Sequence, residues 1–329
     1  MSACGVALVT GGTGFIGSHL VAVLLANGWT VRCVVRPTSN LRWLDGQSIQ
    51  PVTGDLTSPD SAALRKALEG VSVVFHLAGT TSSAGDEGYS RVNVGSTRHV
   101  LEAMAAAAPD ALLVLCSSLS AAGPVNGRHT INETVTPRPV SIYGQSKLKA
   151  EMLVEKSGLR YAVVRPPPVY GPRDSGIFSL FRLVSLGIAP HVTTPDQRLS
   201  IVHVSDLVRG MMRIAEVDAR GIFYMTDGVP HTWHEIMSEI ATAVGRTPKF
   251  LAVSPRVADA LARIERFRGL VMGDKPKLTP DRLIELSQND WTCSDLWARL
   301  ELDYESSVAL APGMLSTAKW YRTAGWLPR

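Results

Sequence analysis

The stretch VTGGTGFIG at residues 9–17 decides the fold. An apolar run typical of a strand, Val6–Thr10, leads into it, and a helical pattern follows it. Gly11, Gly14 and Gly17 lie three apart, and so tight a turn needs residues that tolerate positive φ and let a pyrophosphate approach the backbone. The start of the helix then offers free N–H groups and the positive end of its dipole. The stretch therefore predicts a dinucleotide site in a strand–turn–helix unit.

Strands and helices alternate outward from this turn. The further predicted strands are Thr30–Arg36, Val71–Leu77, Leu112–Ser117 and Tyr161–Arg165. The predicted helices are Ser18–Asn27, Ser61–Glu69, Asn93–Ala107 and Tyr143–Ser157. This order is typical of crossover connections in a parallel sheet with helices on both faces. We therefore expect an α/β fold with a Rossmann-type, doubly wound parallel sheet.

The pattern loosens after Arg165, where three consecutive prolines stop regular structure. Helices are predicted at Ile177–Leu186, Ser205–Ala215, Thr232–Val244, Pro255–Arg268, Pro280–Ser287, Cys293–Leu300 and Ala311–Ala324. Short strands near Ile201–Val204 and Ile222–Met225 are expected to return to the sheet. We expect residues 1–170 to form the dinucleotide-binding Rossmann domain, with returns near 200–225, and residues 171–329 to form a smaller, mainly helical substrate domain.

Composition favours a cytoplasmic protein that acts on a small molecule. The net charge of the 329 residues is only +4 and the basic residues are dispersed, which argues against nucleic acid as a partner. No uninterrupted apolar run approaches the ~18 residues of a membrane helix, and no signal-peptide pattern precedes the first strand. The four cysteines match neither a metal knuckle nor a disulfide framework.

The second strand indicates which dinucleotide is bound. An acidic residue at its end would hold the ribose 2′-hydroxyl of NAD, whereas an arginine would suit the 2′-phosphate of NADP. Residues 31–36 contain no Asp or Glu, and Arg36 occupies the position of the acid. A guanidinium can bind a phosphate through two parallel hydrogen bonds. We therefore expect NADP, with NAD possible; the alternative is that Arg36 is simply a solvated residue at the end of a strand.

A tyrosine and a lysine four residues apart, Tyr143 and Lys147, share one face of a predicted helix. A phenol with a pKa near ~10 is a poor acid–base group at neutral pH, but an ammonium ~4 Å away at an effective dielectric of ~20 contributes about 4 kcal/mol, enough to bring it to ~7. Lys147 is therefore predicted to lower the pKa of Tyr143. Ser118 follows the strand Leu112–Ser117 and is expected to hold a substrate oxygen, unless it only begins a loop.

With these motifs the chain resembles the extended short-chain dehydrogenase/reductases, also called the NAD-dependent epimerase/dehydratase family. The resemblance runs from about Val6 to the C-terminus. Further motifs that carry it are Gly54-Asp55-Leu56, His76-Leu77-Ala78-Gly79, Asn93, Arg165-Pro166-Pro167-Pro168-Val169-Tyr170-Gly171-Pro172, His203-Val204-Ser205-Asp206 and residues 320–327. The pattern is most similar to 3β-hydroxysteroid dehydrogenase-like and dihydroflavonol reductase-like members.

The resemblance implies roles at matching positions. Ser118, Tyr143 and Lys147 would be the catalytic residues. In addition to the three glycines and Arg36, the implied cofactor contacts are Phe15, Ile16, Asp55, Leu56, Leu77, Ala78, Gly79, Tyr143, Lys147, Pro166 and Val169. Within this set, Asp55 and Leu56 would contact the adenine end, and Pro166 and Val169 the carboxamide. The family habit also implies a homodimer.

Departures from the family pattern point away from nucleotide sugars. Pro168 stands where the epimerases carry Asn, and Ser118-Leu119-Ser120 replaces the Thr-Asp-Glu of the dehydratases, which removes their acid–base carboxylates. We therefore expect hydride transfer between nicotinamide and a carbonyl or alcohol carbon of a hydrophobic, steroid-like or acyl-derived substrate. The alternatives are a nucleotide-sugar epimerase or dehydratase with tightly bound NAD, and a non-catalytic dinucleotide sensor.

Two further patterns have ordinary structural explanations. The stretch HTWHE at residues 231–235 is better explained as a capping box that opens a helix than as a metal site, so no metal is expected. Residues 255–271 form an amphipathic basic pattern. Packing on the substrate domain or a partner subunit is the favoured explanation; a lid and a membrane contact stay open.

Overall fold

The computed structural model describes residues 5–58, 62–81, 86–125, 129–191, 196–254, 256–257, 260, 263 and 279–328. Within these ranges, one parallel sheet contains β1 (Val6–Thr10), β2 (Thr30–Val35), β3 (Gln50–Thr53), β4 (Val73–His76), β5 (Leu112–Cys116), β6 (Tyr161–Val164) and β11 (Gly221–Phe223). The strand order is β11-β6-β5-β4-β1-β2-β3. The predicted doubly wound fold is confirmed, and the order reverses between β1 and β4, where such sheets bind dinucleotides.

Helices cover both faces of this sheet because its strands send alternate side chains to opposite sides. The covering helices are α1 (Phe15–Ala26), α2 (Ala62–Leu68), α4 (Ser96–Ala107), α6 (Ile142–Lys156) and α8 (Val204–Val217). In β1, Val9 packs in the cluster that includes Leu20 of α1 and Leu207 of α8. Leu8 packs in a second cluster with Met104 of α4. Each fully buried side chain of this size contributes about 1.5–3 kcal/mol, so both faces hold the sheet in place.

A third apolar cluster organises the C-terminal part of the chain. Its helices and those beside it are α7 (Phe178–Ser185), α9 (Trp233–Val244), α10 (Pro280–Leu286), α11 (Leu296–Leu302) and α12 (Leu310–Thr323). Short strand pairings here join β7 (Val169–Tyr170) to β10 (Val202–His203), β12 (His231–Thr232) and β14 (Asp290–Trp291) to β9 (Arg198–Leu199), and β13 (Lys249–Ala252) to β8 (Ile188–His191). The division into two domains near residue 170 stays a prediction.

One of the two predicted returns to the sheet is wrong. Residues Gly221–Phe223 do pair in parallel with β6 at the edge of the main sheet. The predicted strand Ile201–Val204 instead supplies β10, which pairs with β7 and leads directly into α8. A strand of two residues is too short for its sequence pattern to indicate which strand it pairs with. The predicted helix at residues 255–271 lies mostly outside the described residues.

Other short elements frame the ligand-binding edge of the sheet. They are α3 (Asp86–Tyr89), a π-helix at Ser90–Gly95 and α5 (Leu119–Ala122). The predicted capping box is confirmed, since Thr232 and Glu235 exchange hydrogen bonds at the start of α9. No set of three or more His, Cys, Asp or Glu side chains in the described ranges is arranged to hold a metal ion. Among the helices that the structure describes, none combines the length and apolar character needed to cross a membrane.

Candidate active site

Steric contacts explain the three glycines of the first turn. Gly11 has a φ of 72°, and a Cβ there would lie 2.7 Å from the backbone N of Ala78. A Cβ on Gly17 would lie 2.2 Å from the carbonyl oxygen of Gly11. A Cβ on Gly14 would lie 3.2 Å from the same oxygen, to which Gly14 also donates its N–H at 3.0 Å. The turn therefore tolerates no larger residue at Gly11 or Gly17 without moving the backbone.

The start of α1 fits the pyrophosphate of a dinucleotide. Gly14 precedes the helix in an extended conformation, no side chain caps it, and no acidic residue occupies the first turn. The N–H groups of Phe15, Ile16 and Gly17 therefore lie at the positive end of a helix dipole, which favours an anion. Ala78 lies beside this turn and donates its N–H to Thr10 Oγ1 at 3.1 Å. The loop after β4 and the glycine turn thus meet where the strand order reverses.

Arg36 and Asp55 lie at the ends of β2 and β3 and are both exposed. Hydrogen bonds from the N–H and hydroxyl of Thr57, at 2.9 and 2.8 Å, hold the pKa of Asp55 below its usual value, and the charge of Arg36 adds to this effect. The neighbouring cavity is lined by Val34, Val52, Gly54, Asp55, Leu56, Ser58, Ala63, Leu64 and His99. This edge of the sheet brings together the residues expected at the adenosine end.

The three predicted catalytic residues come together at the C-terminal end of β5. Ser118 caps α5 by accepting the N–H of Ser120 at 3.1 Å, so it begins a helix that the sequence did not predict. Its hydroxyl also interacts with the phenol of Tyr143. Pro166 lies on the same side, because its carbonyl accepts the N–H of Leu119 at 2.8 Å. Ser118 and Tyr143 are therefore placed to act on one oxygen atom.

Lys147 is buried between the strand ends. Its Nζ donates to the carbonyl oxygen of Cys116 at 2.6 Å, and only 8% of the residue is exposed. A Cβ on Gly79 would lie 3.7 Å from the same Nζ, so the ammonium also borders the loop after β4. Burial lowers the pKa of Lys147. The lysine is thus held between the end of β5 and the loop after β4.

The prediction that Lys147 lowers the pKa of Tyr143 is wrong. Burial raises the pKa of Tyr143, and the carboxylate of Glu285 raises it further, while Ser118 and Arg282 act in the opposite direction. The Lys147 ammonium is bound to the Cys116 carbonyl, and desolvation of the phenol dominates. The phenol is therefore protonated at neutral pH, as a proton donor must be.

Asn93, for which the sequence indicated no role, lies in the π-helix and connects α6 to the loop after β4. Its Nδ2 donates to Ser146 Oγ at 2.8 Å and to the Thr80 carbonyl at 3.2 Å. Its Oδ1 accepts the N–H of Thr80 at 2.8 Å. Both amide hydrogens and one lone pair of the amide oxygen are thus used within the protein. This indicates a positioning role for Asn93.

A buried ion pair connects α6 to the end of β6 next to these residues. Glu151, one turn beyond Lys147, pairs with Arg165 Nη2 at 2.6 Å, and Arg165 Nη1 donates to Tyr224 Oη at 2.8 Å. Ser117 donates its hydroxyl to the same carboxylate. This network joins β5, α6 and β6. Its charges are paired with each other, so it leaves no isolated buried charge. Sequence reasoning missed it, since Glu151 has the pattern of an ordinary helix residue.

Comparison with known proteins agrees with this geometry. The sequence pattern of the NAD dependent epimerase/dehydratase family matches residues 7–224, more than half of the chain. The chain belongs to this family. It is 31% identical over 329 residues to a ceramide reductase from Caulobacter vibrioides (strain NA1000 / CB15N), which covers 99% of this chain and 97% of that protein. The resemblance seen in the sequence is therefore confirmed.

Two further proteins show what else this chain is similar to. A decarboxylating sterol-4-alpha-carboxylate 3-dehydrogenase from Dictyostelium discoideum is 27% identical, with 93% of this chain and 98% of that protein covered. The structure of MoeE5 in complex with UDP-glucuronic acid and NAD is similar with a TM-score of 0.77 and 27% identity, covering 97% of this chain and all of that chain. The chain is thus an enzyme of the extended short-chain dehydrogenase/reductase type, in an NAD-dependent oxidoreductase family.

Proposed function

We propose that the enzyme is an NADP(H)-dependent dehydrogenase or reductase that moves a hydride between nicotinamide and the carbonyl or alcohol carbon of a hydrophobic substrate. The observation that carries this proposal is the position of Ser118 at the start of α5 and of Tyr143 and the buried Lys147 on α6, all at the C-terminal end of β5. The next residue, Leu119, is buried and apolar where the dehydratases carry a carboxylate. The site is thus equipped for proton transfer at one oxygen.

The proposed catalytic roles follow from the chemistry of these groups. The nicotinamide supplies or accepts the hydride when bound, and its oxidised form adds positive charge near the site. In reduction, Tyr143 donates its phenolic proton to the substrate oxygen, and Ser118 orients that oxygen by hydrogen bonding. Lys147 would provide positive charge and hold the nicotinamide ribose when the cofactor is bound. In the reverse direction the same phenol accepts the proton.

The proposed cofactor site extends from Arg36 to the nicotinamide end. Arg36 would bind the 2′-phosphate, with Asp55 and Leu56 at the adenine. The backbone of Gly11, Gly14, Phe15, Ile16 and Gly17 would bind the pyrophosphate, with Leu77, Ala78 and Gly79 beside it. Pro166 and Val169 would contact the carboxamide. NADP is the favoured cofactor because Arg36 is exposed at the end of β2, where an acid would hold NAD.

The relatives support a lipid-like substrate. Two of them are named for acting on a ceramide and on a sterol carboxylate, both of which are largely apolar molecules. This agrees with the departures from the nucleotide-sugar pattern at Pro168 and Leu119. The proposal also includes a cytoplasmic homodimer. The three cysteines in the described part of the chain are free and buried, which suits a reducing compartment, and sedimentation analysis would test the dimer.

A second candidate function is epimerisation of a nucleotide sugar with tightly bound NAD. The similarity to MoeE5, solved with UDP-glucuronic acid and NAD, favours it. The two candidates differ in how the cofactor behaves. An epimerase keeps its NAD through purification and does not consume free NADPH, whereas a reductase releases the oxidised cofactor after each turnover.

The deciding experiment follows NADPH oxidation with 3-ketosteroids, long-chain acyl ketones and UDP-sugars as candidate substrates. We expect turnover with an apolar ketone and a loss of roughly 10²- to 10⁴-fold in Tyr143→Phe, because the proton donor is removed. The variant Tyr161→Phe, on a partly exposed tyrosine of β6, is the matched control and should keep full activity. NADPH-independent conversion of a UDP-sugar would overturn the proposal in favour of the epimerase.

A further inference from the structure

The N-terminus of the catalytic helix α6 is closed by side chains from α10, which lies about 140 residues further along the chain. Asp281 accepts the N–H of Ile142 on one carboxylate oxygen at 2.6 Å and the N–H of Tyr143 on the other at 3.1 Å. Ser141 accepts the N–H of Gly144 at 2.9 Å and donates its own hydroxyl to Glu285 Oε1 at 2.7 Å. The first three N–H groups of α6 are therefore all bound to protein oxygens.

The two carboxylates belong to one face of a well-anchored helix. Asp281 and Glu285 are four residues apart, so they project from the same side of α10. Thr279 caps this helix by accepting the N–H of Arg282 at 3.1 Å, and Pro280 occupies its first turn. At the other end, Trp291 Nε1 donates to the Glu285 carbonyl at 2.9 Å. The helix α10 therefore holds the start of α6 against a fixed support.

Glu285 is unusual because it is a buried carboxylate at the start of α6, where it accepts the hydroxyl of Ser141. Only 8% of Glu285 is exposed, and the guanidinium of Arg282, a side chain that is 49% exposed, lies 3.8 Å from its carboxylate. A buried carboxylate costs free energy unless it is paired, and a helix start does not need it, since Ser141 alone would cap α6. Its position therefore suits a role in the chemistry of Tyr143 better than a role in folding.

We propose that Asp281 and Glu285 are positioning residues for Tyr143: Asp281 fixes the backbone from which the phenol projects, and Glu285 orients Ser141, which caps the same helix start. This inference rests on the proposed function, because it assumes that Tyr143 transfers the proton. It adds a part of the C-terminal chain to a site otherwise built from the Rossmann sheet.

The charged and titratable groups around Tyr143 determine the direction of the expected effect. Glu285 raises the pKa of the phenol and Arg282 lowers it, both from α10. From β5 the Cys116 thiol faces the phenol, and from α3 the ring of Tyr89 contacts the Tyr143 ring with centroids 5.9 Å apart. Lys147 lies one turn along α6. Removal of the Glu285 charge therefore favours the phenolate at lower pH.

The test compares Asp281→Asn and Glu285→Gln with wild type, and uses Glu301→Gln, an exposed carboxylate on α11, as the matched charge control. Gln keeps an oxygen for the Ser141 hydroxyl but removes the charge. We expect the alkaline limb of ketone reduction to move down by roughly 0.5–1 pH unit in Glu285→Gln, with KM unchanged. In Asp281→Asn, we expect kcat to fall about 10-fold while NADPH affinity is preserved. Asp281→Ser replaces Asn if that variant does not fold.

The outcomes are separable. A pH profile in Glu285→Gln that coincides with wild type and Glu301→Gln overturns the role of Glu285. A wild-type kcat in a folded Asp281 variant overturns the role of Asp281. A wild-type enzyme that binds NADPH but transfers no hydride to any ketone overturns the proposed function, and this inference with it, before any variant is made.

Discussion

The helices α1 and α6 both begin at the C-terminal edge of the same parallel sheet, but their N-termini are completed in opposite ways. Helix α1 starts at Gly14 without a side-chain cap, and its first N–H groups face the point where the strand order reverses. Helix α6 starts at Ser141 with its first three N–H groups bound to Ser141 and Asp281. One terminus has no side-chain cap and is the proposed site of the cofactor's pyrophosphate, and the other is closed by side chains next to the proposed catalytic residue Tyr143.

Closing the open terminus should have the largest effect. In Gly17→Ala, the new Cβ would lie 2.2 Å from the Gly11 carbonyl, so the glycine turn must shift. We expect NADPH affinity to fall by roughly 100-fold or more, because charged hydrogen bonds of ~1.5–3 kcal/mol each are lost, and stability to fall by about 3 kcal/mol. Fluorescence titration and thermal melting measure the two effects.

The control for this change is Gly28→Ala at the other end of α1. Gly28 also has a positive φ, of 79°, but a Cβ there meets nothing within 4 Å. That variant should lose about 1 kcal/mol of stability and keep its cofactor affinity. If both variants bind NADPH equally well, the open terminus is not the pyrophosphate site.

Arg36→Asp tests the proposed 2′-phosphate contact at the adenosine end separately from the proposed pyrophosphate site at α1. The variant loses the proposed contacts with the 2′-phosphate, so NADPH should bind roughly 10- to 100-fold more weakly while NADH binding is kept or improved. Fluorescence titration with both cofactors measures this, and Arg246→Asp, an exposed arginine after α9, controls for the charge change. Equal weakening for NADH and NADPH would refute the 2′-phosphate contact.

The environment of Tyr143 at the start of α6 should determine the pH dependence of the reaction. Burial raises the pKa of Tyr143, so the phenol carries its proton below that pKa and loses it as the pH rises through it. Ketone reduction should therefore stay constant from about pH 6 to about pH 9 and decline only at higher pH, whereas alcohol oxidation should increase with pH. Measuring kcat/KM for reduction and for oxidation as a function of pH tests this. A reduction rate that already falls between about pH 6 and 7 would contradict the assignment.

Ser141→Ala should have the smallest effect, because Asp281 still holds two of the N–H groups. We expect a loss of about 1 kcal/mol of stability and a decrease of a few-fold in kcat, with cofactor affinity unchanged. Thr232→Ala removes an equivalent cap from α9 and should cost similar stability with no change in kcat. Equal kcat values in the two variants would mean that the cap of α6 only stabilises the fold.

The same comparison shows what the sequence could reveal. The open terminus was predictable because its strand, glycines and helix are contiguous, and each glycine has a local steric reason. The closed terminus was not, since Asp281 and Tyr143 are separated by 138 residues and only tertiary packing brings them together. For the same reason the pKa of Tyr143 was predicted in the wrong direction: the sequence shows Lys147 one turn away, but not the burial of the phenol or the nearby Glu285.

The most direct test of the central claim follows the hydride itself. NADPH deuterated at the transferable C4 position would be incubated with the preferred apolar ketone, and the product would be analysed by mass spectrometry. Our account predicts one deuterium on the carbinol carbon of the alcohol, with one NADP formed per product molecule. An alcohol without the label, or product formed without consumption of NADPH, would contradict it.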